Sequence, residues 1–141
     1  MGVFSPPFAH LHVASSHSLR YGATLPELLV QRSAELGQSI VALTDRDGLY
    51  AAVRWVRECS RLGIRPVLGV DIAVEATQAA RVHPDVQART PARGGRWIDE
   101  TRPRVLLLAT GSRGWASLCR LVSAAHIGDH TARGEPWVPW S

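Results

Sequence analysis

Two short apolar runs, 39–44 and 64–74, flank a stretch of helix length, and this alternation constrains the fold more than any other feature. Ser39, Ile40, Val41, Ala42, Leu43 and Thr44 form a nearly continuous apolar run, the pattern of a strand buried on both faces. The run 64–74 carries Pro66 near its start, where a missing N–H is tolerated. Between them, Asp45 to Gly48 reads as a turn. A helix over 49–62 would turn Leu49, Val53, Val56 and Cys59 inward and stop at Gly63. Upstream, an opening strand around His10 and His12 leads to another helix start. Thr24 is its expected cap, Pro26 sits in its first turn, and Glu27 completes a capping box. Leu25, Leu28, Leu29, Arg32 and Leu36 trace its stripe, and Gly37 ends it. Strand, helix, strand, helix, strand predicts two βαβ units with right-handed crossovers and a parallel sheet.

Beyond this the pattern dissolves over 75–103, a Pro-, Gly- and Arg-rich stretch expected to be a loop or insertion. The run 104–109 is the clearest buried strand in the chain, expected to extend the parallel sheet. Ser112 is placed to cap a helix to about residue 125, with Trp115, Leu118, Leu121 and Val122 inward. The tail 126–141 has no period. Its Trp137 and Trp140, set between prolines, are too apolar for a solvated tail. They are expected to pack either on the domain's own open edge or on a surface the chain does not contain.

Composition bounds the function classes. With 141 residues, 45% hydrophobic and 20% charged, the chain is ordinary globular material for one domain. No run approaches the roughly 18 apolar residues of a membrane span. The sequence shows no secretory signal, so a cytoplasmic location is expected. Cys59 and Cys119 are isolated and lack metal-type spacing, so reduced core thiols are expected. The formal charge of +4 comes entirely from Arg, with six Arg between Arg81 and Arg104 against Asp85, Asp99 and Glu100. That excess is compatible with nucleic acid nearby, but a solvated loop is the preferred reading of this segment.

The residues with chemistry cluster early. On a strand, His10 and His12 project to one face while Leu11 and Val13 project to the other. His17 follows in a Ser-rich loop. Imidazoles at the end of a buried strand are the donors a transition-metal site uses. Spacing alone favours the plainer alternative, a strand with polar residues on its exposed face.

These residues also resemble a known family. His-Leu-His-Val, followed by Ser15 and Ser18 and then Gly22, resembles the opening motif of a PHP (polymerase and histidinol phosphatase) domain. The form at the N-terminus of bacterial C-family DNA polymerase III alpha subunits, replicative or error-prone, is the most similar. Further blocks agree with it in order: Ala42 to Tyr50 around Thr44-Asp45, Gly63 to Asp71, and Leu106 to Ala109 followed by Gly114 to Ser123. The late Gly-Glu-Pro-Trp-Val also fits. Together they cover about two thirds of the chain.

The resemblance implies a distorted (β/α)7 barrel, of which residues 1–141 would be a truncated part. It also implies divalent metal ions held at the C-terminal ends of the strands in relatives with an intact site. Here the family's ligand positions are largely replaced. His12 matches the first ligand and Asp71 stands for a Glu. Ala14, Tyr21, Arg46 and Arg104 occupy positions where relatives carry metal-binding groups. His12 and Asp71 are therefore vestigial metal candidates, and no cofactor is expected in this chain. Arg46 and Arg104 are expected to pair with Asp45, Asp47 or Asp71, replacing metal cohesion with ion pairs.

The leading expectation is a catalytically silent PHP fragment of an alpha-type polymerase. It would be a structural platform against the thumb and palm of a protein that replicates DNA or synthesises past lesions, touching DNA only indirectly. A second is a free-standing metal-dependent phosphoesterase using His10, His12, His17, Asp45 and Asp71. A third is a small adaptor binding a polymerase through Trp137 and Trp140. An open parallel edge also invites pairing with another copy, so a homodimer is kept among the candidate assemblies.

Overall fold

The strand β2, Arg65–Val74, is the axis of the molecule because three other strands pair with it. The structure is a computed structural model and describes residues 8–75, 102–127 and 136–139. The order is α1 (Pro26–Glu35), β1 (Ile40–Leu43), α2 (Ala52–Leu62), β2, β3 (Arg104–Leu108), α3 (Gly111–Ile127) and β4 (Trp137–Val138). β1 pairs with β2 in parallel, Ile40 opposite Arg65 and Leu43 opposite Leu68. β4 also runs parallel to β2, with Trp137 opposite Ala73. The opening segment lies beside β1 in the same direction, held by the Ala42 N–H to the His10 carbonyl and the Thr44 N–H to the Val13 carbonyl. It forms one bridge, His10 with Val41, rather than the continuous strand expected.

The expected parallel arrangement holds for β1 and β2, and β4, in the tail read as having no period, joins in the same direction. β3 departs from it and runs antiparallel to β2, with Gly69 opposite Leu108 and Ala73 opposite Arg104. Nor is β3 buried on both faces, since Leu106 and Leu108 are exposed. Its alternate residues Val105 and Leu107 pack inward instead. Residues 76–101, which hold nearly all of the expected insertion, lie outside the described residues, as does Trp140.

Side-chain alternation assigns the two faces of the sheet. Val41, Leu43 and Leu68 join Val30, Ala51, Trp55, Cys59 and Ile64 under α1 and α2. Val70 and Ile72 join Leu118, Val122 and Ala125 under α3. Residues 68, 70 and 72 share one parity, so all three helices cover the same face of β2. The opposite parity, Gly69, Asp71 and Ala73, projects to the other face, which no helix covers among the described residues, beside Leu108, Leu106 and Arg104.

Several local expectations change for identifiable reasons. α1 has Leu25 at its N-cap with no side-chain cap bond. Pro26 begins the helix and has no N–H to satisfy, while the Thr24 carbonyl instead accepts the Ser16 N–H at 2.8 Å. Its buried residues are Pro26, Val30 and Ser33, whereas Leu25, Leu28 and Leu36 are exposed. Of the expected stripe, Leu25, Leu28 and Leu36 face away from this sheet, while Leu29 packs against the core. α1 closes as expected at Gly37 (φ 70), whose N–H bonds to Ala34 while that of Gln38 bonds to Ser33, a Schellman stop. α2 starts at Ala52 rather than Leu49. It buries Ala52, Trp55 and Cys59 and leaves Val53 exposed. Ser112 lies inside the first turn of α3 rather than capping it. Both cysteines are free thiols; Cys59 is buried as expected, but Cys119 only partly. Trp137 packs on the domain's own edge as β4, under the guanidinium of Arg102 at 4.6 Å. Among the described residues no helix is long and apolar enough to cross a membrane.

Candidate functional site

The Ser-rich loop after the opening segment is tied to the end of β1 by one buried carboxylate. Asp45 accepts the Ser15 N–H at 2.6 Å and hydroxyl at 2.7 Å, and the Ser18 hydroxyl at 2.7 Å. Ser18 in turn accepts the Arg46 N–H at 2.9 Å. Ser15, Ser18 and Asp45 are all essentially inaccessible to solvent. A carboxylate can be buried here because neutral donors fixed by the fold replace its water. Gly22 is required where the loop closes, since a Cβ there would meet backbone atoms of Ser15 and Ala14. Asp45, a ligand candidate in the phosphoesterase reading, is thus committed to holding the loop.

The next turn places Asp47 at a junction. Its φ of 57 lies in the left-handed region, which Asp tolerates better than most residues. The Asp47 N–H donates to the Asp71 carbonyl at 2.8 Å, and the Asp71 N–H donates to the Asp45 carbonyl at 3.1 Å. Nε2 of His126, at the end of α3, lies 2.6 Å from the Asp47 carbonyl. Arg104 then bridges the side chains. Its Nε donates to Asp71 Oδ1 at 2.8 Å, and its Nη2 to Asp47 Oδ1 and to the Asp71 carbonyl, both at 2.7 Å. The side-chain exposures are 18% for Arg104, 18% for Asp71 and 26% for Asp47, so the cluster is largely withdrawn from water.

Arg46 lies with its guanidinium 3.9 Å above the ring of Tyr21 and its Nε 3.8 Å from Asp47 Oδ2. Both arginines therefore reach the carboxylates expected for them, Arg104 by direct hydrogen bonds and Arg46 by a looser ion pair.

The imidazoles do not converge with the carboxylates. His12 is exposed, with Nε2 3.6 Å from Asp71 Oδ2. His10 is exposed and meets Phe8 edge to face at 4.7 Å. His17 contributes its backbone N–H to Ser15 Oγ. Among the described residues no three His, Cys, Asp or Glu side chains form a set able to hold a metal ion. His12 and Asp71 remain neighbours, but one Asp71 oxygen is already bound by Arg104. The described residues at this site do not fit a divalent cation.

His126 was not singled out by the sequence, and Asp47 was named only as an ion-pair partner for the arginines. The signal for Asp47 was its place before Gly48 in a turn; His126, 79 residues away, gave none. A shallow groove of about 420 Å³ lies beside His126, lined by Leu49, Tyr50, Cys119, Val122 and Ile127. Away from the site, Glu58 is pulled down to about 2 by its hydrogen bonds from Arg61 and then Gln31.

The family model for the PHP domain matches residues 10–140. The chain belongs to the PHP domain family. This PHP domain is 36% identical over 148 residues to the error-prone DNA polymerase of Mycobacterium tuberculosis, covering 98% of this chain and 12% of that protein. It is 38% identical over 125 residues to the error-prone DNA polymerase of Anaeromyxobacter sp. (strain K), covering 89% of this chain and 9% of that protein. It therefore spans about one eighth or less of the length of these relatives. Among solved structures, an amidohydrolase from Chromobacterium violaceum superposes with a TM-score of 0.55 at 18% identity, over 84% of this chain and 33% of that one. That likeness supports a barrel-type α/β fold of which this chain is a part.

Proposed function

We propose that this PHP domain is the structural platform of an error-prone-type DNA polymerase and carries no phosphoester chemistry of its own. The observation that carries this reading is the commitment of the carboxylates. Asp45 accepts three hydrogen bonds from Ser15 and Ser18, while Asp47 and Asp71 are bound by Arg104. A metal-dependent phosphoesterase needs such groups open to cations, with a water to activate. Here they fasten the loop, the turn and two strands to one another. His12 and Asp71 are the vestige of the metal pair. In the intact protein the domain would pack against the thumb and palm, in the cytoplasm, and meet DNA only through them.

The test is direct. The purified chain, incubated with manganese or zinc and desalted, is assayed for bound metal and for turnover of phosphomonoesters and phosphodiesters. The reading expects substoichiometric metal and no turnover above buffer. One equivalent of tightly bound metal, with turnover abolished by His12→Ala, would replace it with the phosphoesterase.

A further inference from the structure

We infer that the Arg104 guanidinium is a built-in cation that takes over the cross-linking task of a bound ion, and that Asp47 and Asp71 form a cation site once it is removed. This deepens the structural reading above and rests on it.

The argument starts from charge. Asp47 and Asp71 come from different segments, yet both accept hydrogen bonds from the same guanidinium. With exposures of 26% and 18%, water screens their mutual repulsion only in part. The shared guanidinium offsets that repulsion. The planar fork of Arg suits this role, because Nε and Nη2 can address two acceptors at fixed angles. A third bond, to the Asp71 carbonyl, ties the same group to the backbone of β2.

The connectivity matches what a bound ion would provide. Asp47 belongs to the turn after β1, Asp71 to β2 and Arg104 to the start of β3, and His126 draws the end of α3 onto the Asp47 carbonyl. One cation thereby fastens the antiparallel β3 to the parallel part of the sheet. Among the described residues, the other basic side chains near these carboxylates are poorer cross-links. Arg46 Nε is 3.8 Å from Asp47, and His12, 62% exposed, is 3.6 Å from Asp71. Neither spans both carboxylates.

The experiment measures thermal midpoints of the 141-residue chain and its Arg104→Ala variant at matched ionic strength. Each is titrated with ethylguanidinium, which replaces the atoms removed, with tetramethylammonium as control, and separately with manganese or EDTA. The wild type is expected to be indifferent to manganese and EDTA. Arg104→Ala is expected to melt about 5 °C or more lower. It should regain part of that loss with ethylguanidinium or manganese but not with tetramethylammonium. An unmoved midpoint, a loss that neither cation restores, or a wild type destabilised by EDTA would each overturn the inference.

If Arg104→Ala does not fold, the double variant Arg104→Ala, Asp47→Asn carries the test. Removing one of the two repelling charges should restore a cooperative transition, and its failure to do so overturns the proposal. Turnover by the wild-type chain would end the structural reading and leave the Arg104 result standing. An unmoved Arg104→Ala midpoint would end this inference alone.

Discussion

The Ser15 hydroxyl lies 2.7 Å from Asp45 Oδ2 in the interior of the protein, and this contact joins two segments 30 residues apart. With the Ser18 hydroxyl on the other oxygen, it fixes the loop over the end of β1. A hydrogen bond to a charged group contributes about 1.5–3 kcal/mol, more than a neutral one, because its acceptor cannot be left bare in the interior.

Ser18→Ala removes one donor from Asp45 and strands the Arg46 N–H. The variant is expected to lose about 2 kcal/mol of stability in urea denaturation, within the range for such groups. A loss under roughly 0.5 kcal/mol, the level of an ordinary surface change, would show that water enters and replaces the hydroxyl.

The two apolar stripes of α1 should respond differently. Val30 is fully buried under α2 and the sheet, whereas Leu28 is half exposed. Val30→Ala is expected to cost about 2 kcal/mol through lost burial and the cavity left behind. Leu28→Ser should change the urea midpoint by less than about 0.5 kcal/mol equivalent. Equal losses would mean that the Leu stripe is covered in solution.

The cysteines should label in sequence. Burial, and then the neighbouring Glu58 charge, push the Cys59 thiol up to about 11. Cys119 is only partly buried, at the wall of the groove beside His126. A thiol reagent at pH 8 should modify Cys119 in the folded chain and Cys59 only on unfolding. The raised folded-state value also sets a pH dependence. Above about 9 the unfolded chain loses this proton while the folded chain keeps it, so stability falls from there toward pH 11. Cys59→Ser should flatten that decline.

Glu58 carries the opposite sign. Its carboxyl is held at about 2 by Arg61 and Gln31, below the ordinary 4.5. Its contribution is complete above pH 4.5 and is lost as pH falls toward 2. Carbon-detected NMR titration of Arg61→Ala should place Glu58 well above its wild-type value. Because the Arg61 end of the pair is exposed and screened by water, the accompanying change in stability should be slight.

The elements and the family could be read from the residues in order. Hydrophobic runs and glycine stops placed β1, β2, α2 and α3 within a few residues, because period and φ > 0 are local properties. The Thr44-Asp45 block and the His10 to Gly22 block marked the PHP domain, since side-chain identity at each motif position is written in the chain. Tertiary structure alone decided which side of α1 meets the sheet, because both its stripes are apolar and only packing chooses between them. It also decided that β3 reverses, since an apolar pentapeptide pairs equally well in either direction. The meeting of Arg104 with Asp47 and Asp71 belongs to the same class. The residues were visible as a possibility of pairing, but three segments with sequence separations of 33 and 57 residues are brought to hydrogen-bond distance only by the folded sheet.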